Sequence, residues 1–114
     1  MYASPGKPAV SDDELNALQW RTVEYYIKEV NHRNGLIRDK TQEGAPCSIA
    51  AVGMALAGSP LLVERGVLPR DFMADRILTK LRFFWNSPHG PEPDVTGYKG
   101  FYYHFLDMES GRRV

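Results

Sequence analysis

The chain is organised around the stretch WNSPHGPEPDVTGYKGFYYHFLDMESGRR (residues 85–113). This stretch starts where a helical pattern ends, passes through a loop rich in proline and glycine, and finishes in an aromatic strand. Tyr98, Lys99, His104 and Asp107 supply an aromatic plane, a cation, an imidazole and a carboxylate at close spacing. Such a mixture suits a sugar, because flat rings stack on C–H faces and charged groups bind hydroxyls. The alternative is an ordinary amphipathic strand whose aromatic side chains fill a core.

The first helix has a clear start signal. Ser11 and Glu14 form the ends of a capping box, in which each side chain bonds the backbone amide of the other residue. Apolar residues then recur at helical spacing to about residue 32, and Asn34-Gly35 is typical of a left-handed stop. Two ion pairs at i,i+4 spacing are predicted along this helix, Glu24 with Lys28 and Glu29 with Arg33.

Two more helices follow a predicted loop at residues 36–46. Residues 48–58, SIAAVGMALAG, are apolar on every face, which predicts a buried helix with neighbours on several sides. Ser59-Pro60 is predicted to start a new turn that Gly66 stops. Residues 69–86 form the third main helix, and the residue before Pro88 ends it.

The C-terminal end of the chain has a strand pattern. Residues 101–106 alternate as a single strand, and Glu109-Ser110-Gly111 predicts a hairpin turn that leads into a returning strand. The expected fold class is therefore mainly α, with about three main helices and a C-terminal β-hairpin. Residues 1–10 are expected to be an extended lead-in, and residues 11–114 to form one domain.

Composition argues against several function classes. The 14 basic and 14 acidic residues balance, so no net field favours nucleic acid or an anionic membrane. No window reaches the ~20 apolar residues that span a bilayer. The first eleven residues lack the apolar core of a signal peptide, although they could equally be the trimmed start of a precursor. One cysteine and scattered histidines give no metal signature, and no cofactor motif is present.

Five blocks of the sequence together resemble a known family: GLIRD (35–39), SIAAVGMAL (48–56), VERG (63–66), LTKLRFFWNSPHGPEP (78–93) and GYKGFYYHFLDMESGRR (97–113). The resemblance is to the N-terminal portion of the glucoamylase-like domain of bacterial β-1,2-glucanases and cyclic β-1,2-glucan synthases. It implies part of an (α/α)-toroid, in which paired helices ring a glucan-binding cleft, and acid-assisted hydrolysis of β-linked glucan. It also implies a periplasmic or secreted protein, although the chain itself leaves localisation unknown.

The residues that could serve this chemistry are few. Hydrolysis of a glycosidic bond generally needs two carboxyl groups, and Asp39 and Asp107 are the candidates expected near a cleft. Glu92 and Asp94 are expected to be solvated, and Glu109 to be a turn residue. The expected sugar contacts are Tyr98, Lys99, Tyr103 and His104. For Asp39 the other interpretation is a solvated charge cluster with its two neighbours in the chain.

Regular alternation would give His104 and Asp107 different roles. One face of the strand would hold Tyr103 and Asp107, and the opposite face would hold Tyr102 and His104. We expect the cleft on the Tyr103/Asp107 face, with His104 hydrogen-bonded beneath the sheet. With the cleft on the other face, Asp107 would only anchor the turn; a bulge would put both side chains on one cleft.

A second class of function is a non-catalytic module. A partial ring would leave apolar faces uncovered, and such faces commonly drive association. The chain would then bind saccharide without hydrolysing it, associate with itself, or pair with a companion segment that completes the domain.

Overall fold

The computed structural model describes residue 6 and residues 8–114, so most of the predicted lead-in lies outside the described residues. The architecture is mainly α, with three helices and small antiparallel strand pairs. In chain order the elements are α1 (Asp12–Lys28), β1 (Cys47–Ser48), α2 (Ile49–Glu64), α3 (Arg70–Asn86), β2 (Gly97–Tyr98), β3 (Phe101–Tyr102) and β4 (Phe105–Leu106).

Helix α1 begins as the sequence predicts. The Glu14 amide donates to Ser11 Oγ at 3.2 Å, and the Ser11 amide donates to Glu14 Oε2 at 2.8 Å, which completes the capping box. The Glu24–Lys28 pair is also present, at 2.9 Å. The predicted extension of the helix to residue 32 is wrong, because α1 ends at Lys28.

A tight turn after α1 explains this early end. Val30 pairs with Ile37 in an antiparallel bridge, and the Asn31 amide donates to the Leu36 carbonyl at 2.8 Å. Gly35 turns the chain with φ 79°, a left-handed value that favours glycine. The expected Glu29–Arg33 pair is therefore absent among the described ion pairs, and Arg33 instead pairs with Glu109. Residues 36 and 37, predicted as loop, lie in the core with no exposed surface.

Helix α2 differs from its prediction in two ways. It is continuous through Pro60, whereas the sequence predicts a break at Ser59-Pro60. Ser59 Oγ donates to the Ala55 carbonyl at 2.5 Å, and packing of α2 against α3 offsets the backbone bond that proline cannot make. The helix is also not enclosed by the described residues, since only Val52 and Ser59 along it are buried.

Helix α3 matches its prediction to within one residue. Pro69 is the N-cap rather than the first helical residue, and Ser87 caps the C-terminal end just before Pro88. The Ser87 hydroxyl donates to the Phe84 carbonyl at 2.7 Å. Proline therefore bounds the helix on both sides, as its fixed φ and missing amide dictate.

The single alternating strand predicted at residues 101–106 is wrong. Strand β3 pairs with β2 in a short hairpin, whereas β4 pairs with β1 in a separate sheet. Residues 103 and 104 lie between the two strands and make no ladder of their own. The predicted return after residues 109–111 is confirmed in reduced form: Leu106 bridges Arg113, and the Val114 amide donates to the Phe105 carbonyl at 3.1 Å.

Four backbone segments form a small antiparallel array that holds the fold together. Arg38 bridges Cys47, Cys47 pairs with Leu106, and Leu106 bridges Arg113. Cys47 and Leu106 are fully buried, and they pack in one cluster with Leu36, Ile37, Val30 and Val52. Segments far apart in sequence thereby meet at one core. Among the described helices, none is both long and apolar enough to cross a membrane.

Candidate functional site

The β2–β3 hairpin presents an aromatic pair at its tip. Tyr98 and Phe101 are cross-strand partners, and the two residues between them, Lys99 and Gly100, have φ 52° and 86°. Positive φ at both positions is typical of a type I′ turn. Cross-strand partners share one face, and here Tyr98 is 40% and Phe101 80% exposed. The Lys99 ammonium lies 5.2 Å from the Tyr98 ring centroid, so a cation lies beside this aromatic pair.

The base of this hairpin is rigidly held on α3. The Tyr102 hydroxyl donates to the Phe84 carbonyl at 3.1 Å, and the two rings meet edge to face with centroids 4.7 Å apart. The His89 ring packs on Tyr102 from another side, at 5.1 Å. At Gly97 an added Cβ would stand 2.5 Å from the Phe101 carbonyl oxygen, so only glycine fits. The exposed pair therefore projects from a fixed support.

Tyr103 and His104 both lie in the interruption between β3 and β4, and their surroundings differ. Tyr103 is half-buried against the core, and the Arg113 guanidinium lies 4.1 Å from its ring centroid. His104 is exposed, its Nε2 lies 3.3 Å from Ser48 Oγ, and its ring is tilted against Phe105 at 4.4 Å. The expected grouping of Tyr103 and Asp107 on one face is wrong, since Tyr103 packs against the core while Asp107 is exposed.

Asp39 and Asp107 lie in one row of the four-segment array. The Asp39 amide donates to the Pro46 carbonyl at 2.8 Å, and extending the β1–β4 register by one residue places Pro46 opposite Asp107. Two strand spacings separate their Cα atoms, which is about 9–10 Å. Both residues are exposed. Residues in one row of a pleated sheet project from the same side, so both carboxylates belong to the same surface.

Asp107 also anchors the turn that follows it. One of its carboxylate oxygens accepts the Ser110 amide at 2.7 Å and the Glu109 amide at 3.0 Å. These amides, that of Ser110 above all, lower the pKa of Asp107 below its ordinary value, although partial burial opposes them. Asp107 is therefore ionised at neutral pH, which fits a base, a nucleophile or an anchor and not a proton donor.

Asp39 faces the end of helix α1. The Tyr25 hydroxyl donates to the Arg38 carbonyl. Burial raises the pKa of Tyr25, and the carboxylates of Glu29 and Asp39 raise it further. Asp39 makes no side-chain hydrogen bond or ion pair with the described residues, so its carboxylate is open to a ligand or to solvent.

The predicted site residues thus fall into four groups: the hairpin tip with Tyr98 and Lys99, the exposed His104, the carboxylate row of Asp39 and Asp107, and Tyr103, which packs against the core. Sequence reasoning missed Phe101 as a surface ring, although its partnership with Tyr98 follows once the Lys-Gly turn is recognised. Trp85, in the last turn of α3, is a further surface ring and is 88% exposed.

Two other chemistries have little support in the described part of the chain. No group of three or more His, Cys, Asp or Glu side chains there is arranged to hold a metal ion. Burial raises the pKa of the Cys47 thiol to about 11, so this thiol is not an activated nucleophile.

Comparison of the chain with protein-family models, curated proteins and solved structures found no match.

Proposed function

We propose that this chain forms the sugar-binding face of a glucoamylase-like (α/α)-toroid and acts on β-linked glucan. The substrate class implied by the sequence resemblance is β-1,2-glucan. The observation that carries the proposal is the exposed Tyr98/Phe101 pair with Lys99 beside it. Two rings on one face of a rigid hairpin offer a stacking platform, and an ammonium with three donors offers hydrogen bonds to hydroxyls.

The carboxylate row adds a place for hydrolysis. Inverting glycosidases hold their two carboxyl groups about 6.5–9.5 Å apart. The proposal places Asp39 and Asp107, whose Cα atoms are separated by two strand spacings, as that pair. Because Asp107 is held ionised by backbone amides, it would serve as the base, and Asp39 would be the other carboxyl group of the pair. His104, which is exposed directly before β4, would bind a sugar hydroxyl.

The binding experiment compares platform variants with a matched control. Titration of wild type with β-1,2-gluco-oligosaccharides should give saturable binding, while β-1,3- and α-1,4-linked oligosaccharides should bind more weakly. Tyr98→Ala and Phe101→Ala should each weaken binding about 3- to 10-fold, the effect of one lost aromatic contact. The control is Trp20→Ala, which removes a 45% exposed ring from α1 and should leave binding unchanged. Equal losses in all three variants would contradict the platform.

The hydrolysis experiment separates the charge of Asp107 from its anchoring role. Asp107→Asn keeps a side-chain oxygen that can accept the Glu109 and Ser110 amides, whereas Asp107→Ala removes it. We expect Asp107→Asn to abolish product release with little change in melting temperature. Asp107→Ala should abolish product release and also lower the melting temperature. Product release that survives in Asp107→Asn and in Asp39→Asn would refute the catalytic pair while leaving sugar binding open.

A second candidate function is self-association, favoured by one observation. Helix α2 exposes apolar side chains that soluble monomers usually cover, among them Met54 at 67% and Leu61 at 48%. Light scattering over a wide concentration range is the test. A mass that rises with concentration would support association, and a constant monomer mass would exclude it.

A further inference from the structure

The three helices line an open apolar groove. Its volume is about 390 Å³. Its floor includes Val23 and Met73, which are buried. Large apolar side chains stand along its rims with 42–67% of their surface exposed, namely Leu15, Leu18, Met54, Leu61 and Phe72. The rims therefore expose apolar surface that no described residue covers.

A lysine with a mostly buried side chain lines this groove. Lys80 of α3 is only 7% exposed and makes no ion pair or hydrogen bond with any described residue. Its stem packs so closely on Gly35 that an added Cβ there would stand 2.4 Å from Lys80 Cγ. Burial and the neighbouring Arg76 both lower the pKa of Lys80. Packing thus holds the stem of Lys80 in place, while its ammonium has no acceptor among the described residues.

The groove holds cations without acids. Arg76 lines it beside Lys80, with its guanidinium 5.2 Å from the Phe72 ring centroid and in contact with the His32 ring. None of the residues that line the groove is aspartate or glutamate. A carboxylate is the group that pairs best with an ammonium and a guanidinium, because both donate charge-assisted hydrogen bonds to its oxygens.

We propose that this groove docks an amphipathic helix of a partner, whose apolar stripe carries one carboxylate that pairs with Lys80 and Arg76. A helix fits better than a small amphipathic acid, because exposed apolar side chains extend along the rims and a small ligand would leave them in water. The helices that wall the groove have 16 and 17 residues, about 25 Å, which matches four to five turns of an incoming helix. This surface is independent of the sugar-binding hairpin.

The probe is a labelled 18-residue peptide made of leucine, alanine and lysine at amphipathic spacing, with one glutamate in the middle of its apolar stripe. A second peptide has glutamine at that position. Fluorescence anisotropy should show wild type binding the glutamate peptide at least 10-fold more tightly than the glutamine peptide. In Lys80→Met the preference should shrink to less than 3-fold, because the charge that reads the carboxylate is gone.

Gly58 and Gly53 of α2 provide a matched pair of steric variants. Gly58 lines the groove, Gly53 does not, and an added Cβ would meet no heavy atom within 4 Å at either position. Gly58→Leu should therefore fold and lose at least 10-fold in affinity for the glutamate peptide, while Gly53→Leu should bind it as wild type does.

Several outcomes would overturn the proposal. Equal affinity for the two peptides would show that no charge pair forms with the glutamate. Binding that survives Gly58→Leu would show that the peptide binds outside the groove. Dodecanoate that binds in place of both peptides would make the occupant a small acid. A wild-type dimer that Gly58→Leu converts to monomer would make the occupant a second copy of this chain.

Discussion

The core beside the four-segment array and the groove between the helices contain the same types of apolar residue, but the core buries them and the groove exposes them. At the array, Leu36, Ile37, Cys47 and Leu106 have no exposed surface. In the groove, Leu15, Leu18 and Met54 keep half or more of their surface exposed. The array closes because four backbone segments satisfy one another's hydrogen bonds around the buried side chains. The groove is lined by three helices, and no fourth element among the described residues covers it.

This difference teaches that apolar content alone does not predict burial. Helix α2 is the most apolar element, yet it contributes only Val52 and Ser59 to the buried set. A sheet strand is closed by neighbours on both edges, whereas a helix that is apolar on all sides needs a neighbour for each side. The comparison also predicts that the same substitution has different effects in the two regions.

Truncation of one leucine in each region should give the largest contrast. Leu106→Ala leaves a cavity in the closed core and should lower the free energy of unfolding by about 2–5 kcal/mol. Leu18→Ala, at a side chain 61% exposed, should change it by less than about 0.5 kcal/mol. Urea denaturation of both variants measures the contrast. Similar losses would show that the groove is closed in solution.

The buried thiol should make the closed core sensitive to alkaline pH. The pKa of Cys47 is raised by burial from 9.0 to about 11, so the folded state keeps its proton over a range where the unfolded state releases it. The free energy of unfolding should therefore fall by about 2 kcal/mol as the pH rises from about 9 to 11. Cys47→Ala, measured beside wild type, should lack this part of the decline. An identical decline in both proteins would contradict the assignment.

Lys80 in the groove should give a pH dependence of the free energy of unfolding opposite to that of Cys47. Burial lowers the pKa of Lys80, so the charged form destabilises the folded state at neutral pH, and this penalty disappears as the pH approaches the unfolded value near 10.4. Lys80→Met should raise the free energy of unfolding by about 1 kcal/mol at pH 7 and by less near pH 10. Thermal melts at the two pH values measure this. A lower melting temperature at pH 7 would mean that the ammonium has a partner in solution.

The smallest expected effect is at the hairpin tip. Lys99 holds a left-handed φ of 52°, which costs a non-glycine residue about 1 kcal/mol and asparagine less. Lys99→Asn should raise the free energy of unfolding by about 0.5 kcal/mol while weakening saccharide binding, because asparagine suits the turn but lacks the ammonium. Gains in both stability and binding would show that the lysine has no role on the sugar face.

Local signals in the sequence determined the parts of this fold that depend on neighbours in the chain. The capping box of Ser11 and Glu14, the limits of α3 at Pro69 and Pro88, and the turn after Asp107 all follow from side chains that bond or exclude backbone groups a few residues away. The choice of Tyr98, Lys99 and Asp107 as site candidates followed from the same kind of local density.

Tertiary structure decided what depends on distant partners. Alternation predicts one strand at residues 101–106, but its first half pairs with β2 and its second half with β1. Tyr103 therefore packs against the core while Phe105, which would share its face in a regular strand, is exposed. Helix α2 passes through Pro60 because its packing against α3 outweighs one missing backbone bond. Lys80 reads in sequence as an ordinary solvated lysine on a helix. Only the approach of Gly35, from a turn 45 residues earlier in the chain, buries it without an acceptor.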